Sequence, residues 1–431
     1  MGESIRNSLP PVYARLLSEF FDEPKVVETR ATCDRCSMCN HGDPSPVAME
    51  YFNSETKCCT FWPNLPNYLV GAILADESPE MAEGRRRIKE AIATRIGVGP
   101  WELSRPRKLS LLMRNYSGAF GRARSLLCPY YDDKNPAGTC SIWRHREVIC
   151  LTYYCKYSDG MRGYEYWVAL KNYLAHVQRQ LAQNAARMVD PNVIQPQFKD
   201  APLTAEDMDD LPPKASDYES WWGPWVGREE EFYLKCHEWV RSVSAADFAR
   251  NVDQSTDGAK VLKELVSKYE LLRSKILPTT LVRNPRMKEA HVGDQVVVTS
   301  YHRFDSFSLD KDLFEVCGMF RADQTLEENL ERLKRDEGIE LTPELIEFLF
   351  VAGVLVQPSK PKAPEETKAA QVDGSGEVEG RRAALNAILD ARGVAVDAAA
   401  KSKIDSAAAA TLDRWIKKAA IAKSIGEVLD A

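Results

Sequence analysis

CPYYDDKNPAGTCSIWRHREVICLTYYC, residues 128–155, sets Cys128, Cys140, Cys150 and Cys155 in one turn-rich stretch. Upstream, Cys33, Cys36 and Cys39 recur every third residue, and the adjacent pair Cys58 and Cys59 follows after 18 residues. Nine of the chain's 11 cysteines lie in these two groups, a spacing that burial as small hydrophobes does not produce. Thiols two residues apart on a turn are placed to bind a soft metal or an iron-sulfur cluster as thiolates. The fold expected around them is mainly α, with irregular cysteine-rich metal-binding loops held by something other than a core.

The remaining composition is that of an ordinary globular chain. Its 431 residues, 44% hydrophobic and 28% charged, suffice for two or three domains that need no covalent staples, so metal is a local feature. No apolar run approaches the roughly 20 residues that cross a bilayer, and the start MGESIRNSLPPVYARLL lacks a basic segment followed by an apolar one. A cytoplasmic protein without membrane association is expected. In a reducing compartment clustered cysteines favour metal or redox chemistry over disulfides, and an odd total fits complete pairing poorly. A net charge of −6 argues against bulk nucleic-acid binding.

Five segments are expected. Residues 1–190 form the cysteine-cluster domain, with a short helical pattern at 10–21 and loops at 31–66. Ser78-Pro79 opens a helix whose apolar face is Met81, Ile88, Ile92 and Ile96, and the longest helix, 160–189, backs the second cysteine group. Residues 191–285 are an aromatic-rich helical extension. Its Trp221, Trp222, Trp225, Phe232, Tyr233 and Trp239 read better as packed rings than as a base-stacking platform, because Glu229, Glu230 and Glu231 sit among them. Cys236 and Cys317 have no cysteine near them in sequence and read as ordinary buried thiols.

Residues 286–358 change character. A β-branched run at 295–301 precedes a helical pattern at 309–320, Thr325 and Glu328 make a capping box, and Thr342-Pro343 starts a helix ending at Gly353 before Val354-Leu355-Val356. This pattern resembles a winged helix, and more narrowly the PqqD-type peptide-recognition domains, which implies a peptide or protein partner. Residues 359–380, polar and rich in Pro and Gly, read as a flexible linker. In 381–431 two apolar faces emerge, Leu385, Ile388 and Leu389, then Leu412, Trp415, Ile416 and Ala419. That small helical module resembles the C-terminal segment of Rpn-type proteins. About 50 residues bury little surface alone, so docking or oligomerisation is expected.

Within the first cysteine group a bacterial ferredoxin would place Cys-Pro where this chain has Asp43-Pro44. Cys58 or Cys59 is the nearest substitute, and because adjacent side chains diverge, one of the pair is expected in a given centre, with the other reaching the second centre or staying free. Cys128, Cys140, Cys150 and Cys155 would supply four thiolates by themselves. Nine sulfurs permit two four-thiolate centres, as [4Fe-4S] clusters or zinc, or a mixed site completed by a water, Asp43, His41 or His145. Arg144, His145 and Arg146 adjoin the second group and could offset its charge. A basic run, Arg85, Arg86, Arg87 and Lys89 with Arg105, Arg107, Lys108, Arg114, Arg122 and Arg124, is either a solvated face or a guide for an anionic partner.

The stretch Cys128-Pro129, Gly138, Cys140, Ile142, Trp143, Arg146, Cys150 and Cys155 resembles the YkgJ-like family of zinc- or iron-chelating proteins. The family's compact first motif is here split, and Trp143, Glu147 and Leu151 stand where it carries tyrosine, proline and arginine. The resemblance implies metal binding without a defined reaction. FliB-type lysine N-methylases share a similar cysteine pattern, which implies an enzymatic alternative, although no Gly-rich cofactor loop or radical-SAM motif is present. The preferred expectation is a metal- or iron-sulfur-binding protein, redox-active or accessory to protein modification. Its rival is a structural zinc scaffold whose C-terminal modules engage a protein or peptide.

Overall fold

The structure is a computed structural model that describes residues 3–33, 35–42, 51–115, 117–134, 138–196, 203–274, 276–358, 374–419, 422 and 424–429. The chain is mainly helical with small antiparallel sheets. Its first part carries α1 (Asn67–Ala75), α2 (Ala82–Thr94), α3 (Arg107–Asn115), α4 (Val148–Thr152) and α5 (Gly160–Val189). Next come α6 (Ala205–Met208), α7 (Ala215–Trp222), α8 (Glu229–Ser242), α9 (Ala245–Phe248) and α10 (Thr256–Ser274). Two short ladders join them, β1 (Leu65–Pro66) with β2 (Glu102–Leu103), and β3 (Tyr131–Asp132) with β4 (Thr139–Cys140).

One core runs through most of this, α3 and α6 excepted. α1, NYLVGAILA, is apolar on every side and lies in the interior, with Tyr68, Leu69, Val70 and Ile73 fully buried. At Gly71 a Cβ would stand 2.0 Å from the Tyr233 carbonyl oxygen, so only glycine lets α1 and α8 come this close. Trp222, Phe232 and Tyr233 are fully buried in the same core, and the indole of Trp222 donates to the Val98 carbonyl at 3.3 Å. The aromatic segment is thus packing, and Tyr218 to Tyr269 of the expected extension share one core with residues 1–190. Cys236 is fully buried there. The segment 10–21 forms 3-10 turns, Pro11–Tyr13 and Glu19–Asp22, in place of one helix.

A second core gathers β5 (Val282–Arg283), β6 (Lys288–Val292), β7 (Gln295–Thr299), β8 (Phe307–Asp310), α11 (Lys311–Gly318), α12 (Leu326–Arg332), α13 (Pro343–Val351) and β9 (Leu355–Val356). The strands order β6-β7-β8, all antiparallel, while β5 pairs with β9. Thr325 and Glu328 form the reciprocal capping box, and Thr342 accepts from the Leu345 N–H ahead of Pro343. Leu309, expected on a helix, is instead in β8, where it pairs with Val296. Cys317 is fully buried in this core. The module meets the first body at Gly160, where a Cβ would lie 2.1 Å from the Val351 carbonyl oxygen.

The tail holds α14 (Gly374–Ala391), α15 (Ala398–Ser406), α16 (Ala409–Ala419) and α17 (Ile425–Leu429). α14 begins inside the stretch expected to be linker, supported by the Arg382–Glu379 pair at 3.0 Å; residues 359–373 lie outside the described part. Leu385, Leu389 and Leu412 are fully buried, and their core takes in Leu111 and Leu112 of α3 and Met208 of α6. Arg392 reaches Asp209 at 2.6 Å, so the tail docks on its own chain. Among the described residues no helix is long and apolar enough to cross a membrane.

Candidate metal centre

The first thiol group is wrapped in turns. The Cys39 N–H bonds the Cys36 carbonyl at 3.0 Å, the Phe52 N–H bonds the Met38 carbonyl at 2.6 Å, and the buried side chains are Cys36, Met38, Cys39 and Phe52. Cys58, Cys155, Phe120 and Phe304 pack against them. Lys57, at a φ of +48° rare for a side-chain-bearing residue, turns the chain into Cys58 and donates its ammonium to the Cys33 carbonyl at 2.8 Å. A strap formed by 117–123 closes this loop, since the Gly121 N–H donates to Thr60 Oγ1 at 2.7 Å and the Gly121 carbonyl accepts from the Asn53 N–H at 2.8 Å.

The second group rests on regular structure. Cys128 and Cys140 pack on the main core, Cys140 pairs with Tyr131 across β3 and β4, and Cys150 rides on α4, whose N-cap is the Glu147 carboxylate bonded to the Ile149 N–H at 2.8 Å. Arg87 of α2 clamps the Cys128-Pro129 turn, donating to the Pro129 carbonyl at 2.6 Å and the Tyr131 carbonyl at 2.8 Å. At Gly84, one helical turn away, a Cβ would stand 2.3 Å from the Ser141 carbonyl oxygen.

Cys155 belongs with the first group, not with the three cysteines that precede it. It lies beyond the end of α4, and its Sγ is 3.5 Å from Ser37 Oγ. The pair at 58 and 59 marks the seam: Cys58 packs with Cys36 and Cys39, while the Cys59 carbonyl accepts from the Cys128 N–H at 2.8 Å. Asp43 and Pro44 lie outside the described residues. Of the other candidates, the His41 ring bonds the Cys36 carbonyl at 2.8 Å, beside the first group. His145 points away, its Nε2 2.8 Å from Asp76 Oδ2.

Electrostatics link the thiols. Burial pushes Cys36 up to about 11, and Cys33, although its surface is exposed, is raised to about 11 by desolvation from the surrounding loop together with negative charge on Cys58, Cys36 and Cys155. Cys58 is raised by its hydrogen bond to Cys59 and by burial. Burial takes Cys128 up to about 12 and Cys150 well above the ordinary thiol, with Cys140 adding to both. These thiolates therefore oppose one another, which is the penalty a cation among them removes. Of the expected trio only Arg146 faces the thiols: burial weakens its charge and Cys140 and Cys150 support it, while Arg144 turns to Asp76 at 3.3 Å.

Several members of the long basic run are engaged by other residues of the chain, some of them at the surface. Arg86 pairs with Glu83 at 2.6 Å, Arg105 lies over the Phe61 ring, Arg107 holds Asp207, and Arg124 pairs with Glu55. A node that no sequence pattern announced is Asp305, 2% exposed, which binds Arg30 at 2.7 Å and accepts from the Tyr157 N–H at 3.2 Å. It ties the β7–β8 loop to the segment following Cys155.

Among the described residues no three His, Cys, Asp or Glu side chains form a group spaced to hold a metal ion. The chemistry of the donors nevertheless suits a soft metal, because the thiols are gathered, desolvated and mutually opposed; their loops would have to close around it. Compared with known proteins, the chain matches no family model, no curated protein and no solved structure.

Proposed function

We propose that the chain is a thiolate metal-binding protein with two adjoining centres, acting in electron transfer, metal handling or as an accessory to protein modification. Cys33, Cys36, Cys39, Cys58 and Cys155 would serve the first centre, and Cys128, Cys140 and Cys150, with Cys59 at the seam, the second. The observation that carries this reading is the convergence of sequence-distant segments, with Cys155 carried past its sequence neighbours to join Cys36 and Cys39. The YkgJ-like pattern supports Cys128, Cys140, Cys150 and Cys155 as ligands, without their division between centres. Iron-sulfur clusters would supply one-electron chemistry, whereas zinc would supply a redox-silent cross-link.

The rival reading, a zinc scaffold with a peptide-binding module of winged-helix or PqqD type, is supported by β6. This edge strand is exposed along its length and leaves one side of the β6-β7-β8 sheet open for an added strand. Metal quantification on anaerobically purified protein, with its optical spectrum, tests the proposal. Iron with absorption near about 400 nm that bleaches on reduction is expected for the first reading. Zinc without iron removes the redox role, and no retained metal removes both readings.

A further inference from the structure

Two arms of chain lead into the first thiol group, and both are held from outside it. Arg30 stands three residues ahead of Cys33, and Tyr157 two residues after Cys155. The Arg30 guanidinium donates to the Tyr157 carbonyl at 3.0 Å, which ties one arm to the other. Both arms then converge on Asp305 of the β7–β8 loop, residues 300–306. Its carboxylate accepts from Arg30 at 2.7 Å and 3.3 Å, from the Tyr157 N–H at 3.2 Å and from the Tyr301 hydroxyl of its own loop. A carboxylate buried this deeply holds its place only while it is paired, and the arms supply most of the pairing.

The same loop reaches the thiols themselves. The Phe304 ring packs on the cluster of Cys36, Met38, Cys39 and Phe52, edge-on to Phe52 with centroids 5.0 Å apart, and the His302 ring hydrogen-bonds the backbone of Cys155. Yet the loop springs from β7 and β8, whose Val296, Val298 and Leu309 belong to the second core. One wall of the first thiol group is thus supplied by a separate module, whereas Cys128 and Cys140 pack on the main core. We propose that Asp305 is a positioning residue for the first centre: it fixes the spacing of the arms that carry Cys33 and Cys155, so that closure of the thiols and seating of the β7–β8 loop are one linked event. The inference rests on the metal reading and deepens it, making the 281–356 module the element that responds to occupancy of that centre. Linkage is reciprocal, so whatever draws the arms together tightens the loop, and loosening the loop weakens retention at the first centre.

The test compares the full parent chain with Asp305→Asn and Arg30→Gln, each as purified with metal and after stripping by a chelator. Arg30 is 45% exposed, so its replacement leaves both cores intact should the buried substitution fail to fold. In stripped protein both variants should speed alkylation of Cys155 about tenfold and leave Cys140 and Cys150 unchanged. In loaded protein, chelator competition should find metal held about tenfold less tightly at the first centre and equally well at the second. Stripping the parent should also raise hydrogen exchange across 300–306 about tenfold, but not in the β6–β7 turn. Alkylation and retention unchanged in both variants, or exchange across 300–306 indifferent to stripping, would overturn the coupling while leaving the metal reading intact. A parent chain that holds no metal removes that reading, and the inference with it.

Discussion

In the second thiol group the fold comes first: Cys140 sits in a ladder, Cys150 on a capped helix, and Arg87 of a neighbouring helix clamps the Cys128 turn. In the first group the side chains of Cys36, Met38, Cys39 and Phe52 are themselves the local core, and the backbone around them is turns. The contrast separates two ways of presenting donors. A group laid on regular structure is organised by the packing of the whole domain, whereas one wrapped in turns depends for its order on what its own side chains bind.

The largest effect should come from deleting thiols in pairs. Cys36→Ser with Cys39→Ser should remove about half of the bound metal and speed tryptic cleavage near Lys57 at least about tenfold, with little change in the helical melting transition. Cys128→Ser with Cys140→Ser should remove the other half and lower that transition by several degrees, because both residues pack on the main core. Equal behaviour of the two pairs would dissolve the contrast.

A smaller effect is expected from Gly84→Ala, which forces α2 away from the Ser141 carbonyl 2.3 Å from the new methyl. It should cost about 2 kcal/mol by chemical denaturation and weaken metal binding at the second centre alone. Loss at the first centre instead would show that the two are not separately supported.

Next comes Asp76, on the flank of the second group. Burial would raise its carboxyl, but hydrogen bonds from Ser78 and His145 prevail and hold it down at about 2. A folded-state value below the unfolded one gives stability that is complete above the ordinary carboxylate range and is lost as pH falls through about 2. Asp76→Asn should therefore cost about 1 kcal/mol at neutral pH, and the difference from the parent chain should vanish toward the acid limit. The smallest effect, about 0.5 kcal/mol, is expected for Arg392→Ala, which loosens the tail at Asp209. Hydrogen exchange should rise in α14 and α16 while metal content stays constant.

Local signals were the legible part of this chain. The 3.6-residue period over 160–189 yields α5 with the expected bounds, and Thr325 with Glu328 caps α12 because both halves of the signal lie within one turn. α1 left no period to detect, since a helix buried on all sides is apolar throughout. The nine clustered thiols were legible as candidates, but their division was not: Cys155 leaves its sequence neighbours because α4 ends at Thr152 and the chain then turns toward Ser37. The partners of the basic run, Asp207 for Arg107 and Glu55 for Arg124, were not legible because they are distant in sequence, although the exposed Arg86, Lys89 and Arg124 do lie on a solvated face. Asp305 escaped for the same reason, its partner Arg30 lying in the N-terminal segment.

Thiol footprinting tests the central claim most directly. Protein purified with its metal and protein stripped by a chelator are alkylated under native conditions and mapped by mass spectrometry, with fully buried Cys236 and Cys317 as internal references. Protection of all nine clustered cysteines in the first sample, lost together in the second while the references stay unreactive in both, is the predicted result. Equal labelling of the nine with and without chelator would contradict it.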